Sequence, residues 1–327
     1  MRKVLVLVEH SNGVVDDSAF ELASAARRLG EAGEAVQVGA VLLGTGVAAM
    51  ADGLGAWFDD VFVYESPRLQ VPDGVAGAEL LAGLMEQEQP FATLIPHTNT
   101  GMDLAPVLAV KAGAPMLADC IELEATPEGV SAVRTRYGGK VHARISAAGN
   151  GGFLATMRPG SFAAGEAPGA GGETHKMDVP EGLAPQRRFI ETIAPEPGAV
   201  DISQAEVLVA IGRGIDEEEH LEIIRSLSAA MGAEIACTRP VVDKGWLTKS
   251  YQVGTSGVAV KPKFYLAIGI SGSYQHTGGI KGTPYIAAIN KDPAAPIFGI
   301  ADVGIVGDLF DIVPLLEKKI REAKGIG

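Results

Sequence analysis

The fold is decided by residues 206–240, which read EVLVAIGRGIDEEEHLEIIRSLSAAMGAEIACTRP. Val207–Ile211 has the continuous apolar character of a buried strand, and Gly212-Arg213-Gly214 predicts a turn after it. The following segment, 216–231, predicts a helix because its first turn is acidic, its apolar residues recur at helical spacing and Gly232 ends it. A strand–helix–strand order of this kind predicts a parallel α/β unit.

The same pattern continues to the C-terminus. Further strands are predicted at 233–236, 264–268, 285–289 and 297–300, mostly separated by helices. Residues 204–327 therefore form a C-terminal Rossmann-like domain, in which ligands bind where strand ends meet helix beginnings.

The N-terminal part, residues 1–190, predicts a second α/β domain. Strands are expected at 4–8, 37–43, 61–64 and 93–96, with helices between them. Four more strand-like runs, at 116–123, 132–137, 141–147 and 153–156, lack intervening helices and favour an antiparallel extension of the same sheet. The two domains are expected to meet at a linker of about 184–203, which contains Pro185, Pro195 and Pro197.

Composition excludes several functional classes. The 327 residues carry a formal net charge of −13, which argues against nucleic acid and anionic membrane surfaces as partners. No apolar run approaches the length of a membrane span, and the first apolar run is too short for a signal peptide. The two cysteines, Cys120 and Cys237, lie too far apart to suggest a metal or redox pair, so a cytoplasmic location is expected. No metal site is predicted.

Unusual residues gather in four loops of the C-terminal domain: 212–214, 238–240, 252–257 and 269–276. Glycines there let backbone N–H groups approach an anion, Ser271 can cap a helix, and arginine is a permanent cation. Each loop alone is equally typical of ordinary turn chemistry. The Rossmann and Walker A fingerprints are both incomplete, which disfavours common NAD dehydrogenases and P-loop NTPases.

The run 269–314, GISGSYQHTGGIKGTPYIAAINKDPAAPIFGIADVGIVGDLFDIVP, resembles the C-terminal FAD-binding domain of the electron transfer flavoprotein alpha subunit. Upstream, the Gly-Arg-Gly turn, Arg239 and the Gln-Val-Gly loop fall where that family has them. The opening strand ending in Val-Glu-His and the Met-Arg-Pro-Gly at 157–160 are similar to the family's N-terminal domain. The resemblance thus extends over nearly the whole chain.

The resemblance implies a role for each matched residue. Arg213 and Thr238 would lie near the FAD phosphates. Arg239, Ser256 and His276 would tune the flavin: Arg239 as a cation beside the ring, Ser256 through a hydroxyl near N5, and His276 with Gln275 by donating hydrogen bonds to the pyrimidine side. The other cofactor contacts implied are Gln252, Val253, Gly254, Thr255, Ser271, Gly272, Ser273, Tyr274, Asn290, Asp308 and Leu309. For Asn290 and Asp308 a turn residue and a helix N-cap are equally good interpretations.

The function implied is an electron shuttle. The alpha subunit would pair through its N-terminal domain with a beta subunit that often binds AMP, take electrons from dehydrogenases such as acyl-CoA dehydrogenases and pass them to an acceptor such as a quinone oxidoreductase. One alternative is the alpha subunit of an NADH-oxidising, electron-bifurcating complex whose partner holds a second FAD. A more remote alternative is a nucleotide-binding module without redox activity.

Overall fold

The computed structural model of the chain describes residues 1–30, 35–137, 141–169, 171–191, 201–280 and 282–325. It divides into two compact units, Met1–Glu191 and Thr192–Gly327. The linker expected at 184–203 spans this division, and its residues 192–200 lie outside the described part of the chain. No helix in the described ranges is long and apolar enough to cross a membrane.

The N-terminal unit is built on a nine-stranded sheet with the order β11-β5-β4-β1-β6-β10-β7-β8-β9. Its elements are β1 Arg2–Val8, β2 His10–Ser11, β3 Val14–Val15, α1 Ser18–Arg28, β4 Val36–Gly44, α2 Ala48–Leu54, β5 Asp60–Glu65, α3 Gly74–Glu88, β6 Ala92–Pro96, α4 Asn99–Ala112, β7 Met116–Thr126, β8 Gly129–Arg136, β9 Val141–Ala148, β10 Phe153–Met157 and β11 Glu173–Met177. The short strands β2 and β3 form a separate hairpin.

Strand β1 shows why the sheet is buried on both faces. Val4 and Val6 pack in one apolar core, while Leu5 and Leu7 pack in another on the opposite side. Successive side chains of a strand point to opposite faces, so an uninterrupted apolar run suits a strand covered on both sides. Burial of each such side chain contributes about 1.5–3 kcal/mol.

The order of the later strands corrects one prediction. The antiparallel extension consists of β7, β8 and β9 only. Strand β10 instead returns to the middle of the sheet and pairs in parallel with both β6 and β7, so its placement in the extension was wrong. All five β10 residues are buried, as expected for a central strand. The edge strand β11 was not predicted, because its sequence ETHKM is polar and largely exposed.

The C-terminal unit has a five-stranded parallel sheet with the order β13-β12-β14-β15-β16. Its elements are β12 Val207–Ile211, α5 Leu221–Met231, β13 Glu234–Cys237, α6 Arg239–Asp243, β14 Phe264–Ile268, α7 Tyr274–Thr277, β15 Tyr285–Asn290, β16 Val303–Val306 and α8 Leu309–Lys324. Separate apolar cores cover its two faces. The two-domain α/β fold predicted from the sequence is thus observed.

The strand predicted at 297–300 was wrong. Pro296–Gly299 form a 3-10 turn, and the strand follows at β16. Proline has no N–H to contribute to a ladder, and Pro296 occupies the first position of the turn. Ile297 is apolar because it is fully buried in a core, not because it belongs to the sheet.

Each sheet has a switch point, where the chain leaves one side of a strand and continues on its other side. In the N-terminal sheet the chain passes from β1 to β4 on one side and later to β6 on the other. In the C-terminal sheet it passes from β12 to β13 on one side and then to β14 on the other. Crevices for ligands in open α/β sheets form outside the carboxyl ends of the strands at these switch points.

At the N-terminal switch point a carboxylate of the chain lies on a helix N-terminus. Thr98 caps α4 by accepting a hydrogen bond from Gly101 N–H at 3.1 Å, and its hydroxyl donates to Glu9 Oε1 at 2.6 Å. Burial raises the pKa of Glu9 to about 7, although the Thr98 hydroxyl and the Gly101 N–H both act to lower it. Glu9 therefore occupies the position where a helix attracts anions.

The segment 180–187 is bound to the N-terminal unit by two side chains. Arg68 Nη1 donates to the carbonyls of Pro180, Glu181 and Leu183. Asp73 caps α3 with one oxygen and accepts the N–H groups of Gln186 and Arg187 with the other, at 2.7 and 2.8 Å. Burial alone would raise the pKa of Asp73, but these four backbone donors hold it below its usual value.

Candidate functional site

The residues predicted to bind the cofactor lie at the carboxyl edge of the C-terminal sheet. Thr238 and Arg239 follow β13, Arg213 follows β12, and 271–276 follow β14. Asn290 ends β15, while Asp308 and Leu309 follow β16. The remaining predicted segment, 252–256, joins this edge through a bridge between Gln252 and Cys237, the last residue of β13.

At the switch point the backbones of two loops touch. A Cβ on Gly212 would lie 2.3 Å from Gly269 O, and one on Gly214 would lie 2.9 Å from Gly269 Cα. These distances are too short for any side chain, so glycine is required for the loops after β12 and β14 to cross. The sequence suggested that these glycines let the backbone approach an anion. The structure shows that they let the loops after β12 and β14 approach each other.

A second crossing joins the loop 252–256 to α7. Thr255 N–H donates to Gln275 O at 2.7 Å, and a Cβ on Gly254 would lie 2.5 Å from the same oxygen. Val253 N–H donates to Cys237 O at 2.9 Å. The loop is thereby fixed between the end of β13 and α7, which brings three of the predicted segments together.

The hydroxyl of Thr238 has no partner in the described part of the chain. Its Oγ1 atom is buried without a hydrogen bond, although the residue stands at the N-cap of α6. A buried hydroxyl without a partner costs about 1–3 kcal/mol, so such a group usually marks a missing ligand or water. Thr238 is the strongest sign that this edge binds something.

Two permanent cations lie at this edge. Arg213 and Arg239 are both exposed. Arg239 Nε lies 3.5 Å from Asp243 Oδ2, with the two side chains 70% and 61% exposed. A pair this exposed contributes little, so its guanidinium remains available to an anionic ligand.

His276 is buried and bonded at both ring nitrogens. Nδ1 lies 3.0 Å from Val253 O, and Nε2 lies 2.8 Å from the hydroxyl of the fully buried Tyr265. Because a carbonyl only accepts, Nδ1 carries the hydrogen and Nε2 accepts from Tyr265. Burial lowers the pKa of His276 to about 4, so the ring is neutral near pH 7. A hydrogen bond from His276 to a flavin would require one of these bonds to be exchanged, and it stays a prediction.

Several other predicted residues have structural tasks. The prediction that Ser271 caps a helix was wrong: α7 begins at Tyr274, and Ser273 stands at its N-cap. Asn290 Nδ2 donates to Ile270 O and its Oδ1 accepts from Asp292 N–H, as in a turn. Asp308 caps α8 through Phe310 N–H. Cofactor contacts by Asn290 and Asp308 stay predictions beside these roles.

The remaining predicted residues differ in their exposure. Ser273 and Gln275 are exposed, whereas Gly272 and Leu309 are buried, and Leu309 packs in a core. Gly272 has a φ of +81°, and a Cβ there would lie 2.2 Å from Ile297 N. Tyr265 was missed by the sequence analysis, because a buried tyrosine inside a strand gives no signal before its partner is known.

These features fit a flavin dinucleotide. The buried, unpaired Thr238 hydroxyl can bond a phosphate or a ribityl oxygen, and Arg213 and Arg239 supply cations for a pyrophosphate or an electron-rich ring. Exposed hydroxyls at Ser256, Ser271 and Thr255 add neutral hydrogen-bonding groups along the same edge.

Comparison with known families assigns both units. Residues 4–181 match the electron transfer flavoprotein domain, and residues 201–281 match the electron transfer flavoprotein FAD-binding domain.

Individual relatives agree with this assignment. The electron transfer flavoprotein subunit alpha of Bacillus subtilis is 35% identical over 98% of both chains, and that of Megasphaera elsdenii is 36% identical over 99% of this chain and 97% of its own. The lactate dehydrogenase (NAD(+),ferredoxin) subunit LctC of Acetobacterium woodii is 37% identical over 96% of this chain and 76% of its own length. The chain therefore belongs to the alpha-subunit family of the electron transfer flavoproteins, as the sequence from Gly269 to Pro314 predicted.

Proposed function

We propose that the chain binds one FAD along the carboxyl edge of the C-terminal sheet. The observation that carries this proposal is the buried Thr238 hydroxyl without a partner, beside the exposed cation of Arg239. The match of residues 201–281 to the FAD-binding domain supports it. The proposed contacts are Arg213, Thr238, Arg239, 253–256, 271–276, Asn290, Asp308 and Leu309, whereas the buried side chain of Gln252 would act through Ser256.

A flavin bound there would supply electron transfer in one-electron and two-electron steps. The chain's own residues would set where the electrons reside. Arg239 would favour added negative charge, because a cation stabilises an anion at short range. Ser256 would offer a hydroxyl, and the loop crossings at Gly254 and Gly269 would keep the edge rigid. No general acid or base is needed for this function.

We further propose that the protein acts as one half of a heterodimer. Residues 1–190 would contact a beta subunit that holds AMP, and residues 204–327 would carry the FAD and move about the linker at 184–203. Dehydrogenases such as acyl-CoA dehydrogenases would donate electrons, and a quinone oxidoreductase or similar acceptor would receive them. The free and buried state of both cysteines supports a reducing, cytoplasmic location.

The test is the stoichiometry of released cofactors, measured by absorbance and chromatography on this chain purified with its beta subunit. One FAD and one AMP per heterodimer are expected. Two FAD would instead indicate the bifurcating type of complex, a type of interest because of the relative named as a lactate dehydrogenase acting with NAD(+) and ferredoxin. Protein without FAD that cannot be reconstituted would overturn the proposal.

A further inference from the structure

The side chain of Gln252 is turned inward, away from solvent. It is only 4% exposed, and its Nε2 donates to Ser256 Oγ at 2.9 Å. The backbone of Gln252 is fixed as well, since its N–H donates to Lys249 O at 3.0 Å and its carbonyl accepts from Val258 N–H at 2.7 Å. The amide donor therefore has one fixed direction.

This bond determines how the hydroxyl of Ser256 is turned. A serine hydroxyl has one hydrogen and two lone pairs. With one lone pair facing the Gln252 amide, the hydrogen points away from it, and Ser256 itself is exposed on the loop. The side chain is thus presented outward as a hydrogen-bond donor.

We propose that Gln252 is a positioning residue that orients the Ser256 hydroxyl to donate to a bound cofactor, and does not itself touch that cofactor. The inference rests on the proposed FAD site. A donated hydrogen bond becomes stronger as its acceptor gains negative charge. The oriented hydroxyl therefore stabilises the singly reduced, negatively charged cofactor more than the oxidised one and raises the potential of the first one-electron step.

Three variants of the FAD-loaded heterodimer test this orientation. Gln252→Leu removes the donor. Gln252→Glu is nearly isosteric: its acid form donates to Ser256 as the amide does, whereas its carboxylate accepts from Ser256 and turns the hydroxyl inward. Ser256→Ala removes the hydroxyl. The readout is the reduction potential, measured by spectroscopic titration at pH 6 and pH 9 and compared with the unmodified protein at each pH.

Three neighbouring groups do not titrate between pH 6 and pH 9. Burial raises the pKa of Cys237 to about 12 and lowers that of His276 to about 4, so neither titrates between pH 6 and pH 9. Burial also raises the pKa of Tyr265 well above its usual value. A difference that appears only in Gln252→Glu between the two pH values then belongs to the introduced carboxyl.

Gln252→Leu is expected to lower the equilibrium constant for the first one-electron reduction about fivefold, which is about 40 mV for a one-electron couple. Gln252→Glu should lower the potential more at pH 9 than at pH 6, because burial raises the pKa of the introduced carboxyl and its ionised fraction grows with pH. In a Ser256→Ala background, Gln252→Leu should have no further effect, and Gln252→Glu at pH 9 should retain only the direct effect of its negative charge. Thr248→Val, at an exposed residue outside the proposed contacts, should leave the potential unchanged.

Two results would overturn the inference. One is an unchanged potential in FAD-loaded Gln252→Leu and in Gln252→Glu at pH 9. The other is an effect of Gln252 that simply adds to that of Ser256→Ala, because a residue acting through Ser256 cannot do so. If Gln252→Leu folds poorly, Gln252→Glu at pH 9 gives the decision, because its effect must become smaller when Ser256 is replaced by alanine. An unmodified protein that binds no FAD would instead overturn the proposed function.

Discussion

At the carboxyl edge of the N-terminal sheet, the Glu9 carboxyl lies on the N-terminus of α4, whereas at the carboxyl edge of the C-terminal sheet the Thr238 hydroxyl is buried without a partner in the described residues. Both sheets reverse their strand order in the same way, and both place a threonine before the helix at their carboxyl edge. Thr98 is satisfied within the chain and Thr238 is not. The same topology can thus serve as a closed structural unit or as a binding unit, depending on whether a side chain occupies the anion position.

The largest effect is expected at the C-terminal edge from His276→Ala. The substitution would leave the buried Tyr265 hydroxyl and Val253 carbonyl without partners and open a cavity, at a cost of about 3–5 kcal/mol. Chemical denaturation of the C-terminal unit measures this cost. Gln275→Ala, at the exposed neighbour, should stay within about 0.5 kcal/mol of the unmodified protein. Equal effects for the two would show that the hydrogen-bonded ring does not hold this edge together.

The N-terminal edge should respond to pH in the region of neutrality. Because the folded-state pKa of Glu9 is about 7, above the ordinary value of 4.5, its contribution to stability is complete below pH 4.5 and is lost as the pH rises through 7. The loss is about 3 kcal/mol. Glu9→Gln should remove it, so that the free energies of unfolding of the two proteins diverge between about pH 4.5 and pH 7 and differ by a constant amount at higher pH. Glu65→Gln, at the exposed end of β5, should retain the original profile.

His276 gives the stability of the C-terminal edge the opposite dependence on pH. Its folded-state pKa of about 4 lies below the ordinary 6.5, so its contribution is complete above pH 6.5 and is lost as the pH falls toward 4. Unfolding curves recorded from pH 4 to pH 8 should therefore show the N-terminal unit losing stability as the pH rises and the C-terminal unit losing stability as the pH falls. If the stability of both units changed with pH in the same direction, this contrast between them would be contradicted.

The two threonines allow a matched substitution. Thr98→Val removes a helix cap and a partner of Glu9, so it should destabilise the N-terminal unit by about 1–2 kcal/mol. Thr238→Val removes no internal bond and relieves a buried unpaired hydroxyl, so it should leave the cofactor-free protein as stable or stabilise it by about 1–3 kcal/mol. FAD affinity should nevertheless fall about fivefold to tenfold in Thr238→Val, measured by fluorescence titration. Unchanged affinity would mean that a water molecule, not the cofactor, satisfies this hydroxyl.

The smallest effect is expected from Arg239→Ala. Loss of an exposed cation beside the cofactor should lower its potential by about 20 mV for a two-electron couple, since solvent screens such charges. Redox titration measures the shift, with Lys249→Ala as a control for the loss of one charge from the same region. An equal shift in both variants would assign the effect to net charge alone.

Most of the fold could be predicted because apolar periodicity is local. The run Val207–Ile211 identified a buried strand without any tertiary information. The errors arose where tertiary contacts override local pattern. Ile297 is apolar for packing within a core, and β10 is inserted between β6 and β7 by a long-range crossover. The polar strand β11 forms because β5 offers a free edge, which its own sequence does not reveal.

The sequence predicted where the candidate site lies, but not which of its side chains are hydrogen-bonded within the protein. Gly-rich loops after strands correctly indicated the carboxyl edge, because that position follows from parallel topology. Whether a side chain is free to bind a ligand depends on which atoms lie near it in the folded structure. Gln252 and His276 read as ligand contacts in the sequence, yet both are buried and hydrogen-bonded within the unit. The unpaired state of Thr238 likewise depends on atoms distant in sequence.

The anchoring of residues 180–187 by Arg68 and Asp73 has a practical consequence for dividing the chain. The linker predicted from the sequence begins at about residue 184, but a cut there would strip two N–H donors from one oxygen of the Asp73 carboxylate and uncover it. An N-terminal fragment should therefore end at Glu191, after the anchored segment, to fold as stably as the intact unit. Any tether for holding the two halves together, or any protease site for separating them, belongs beyond that residue.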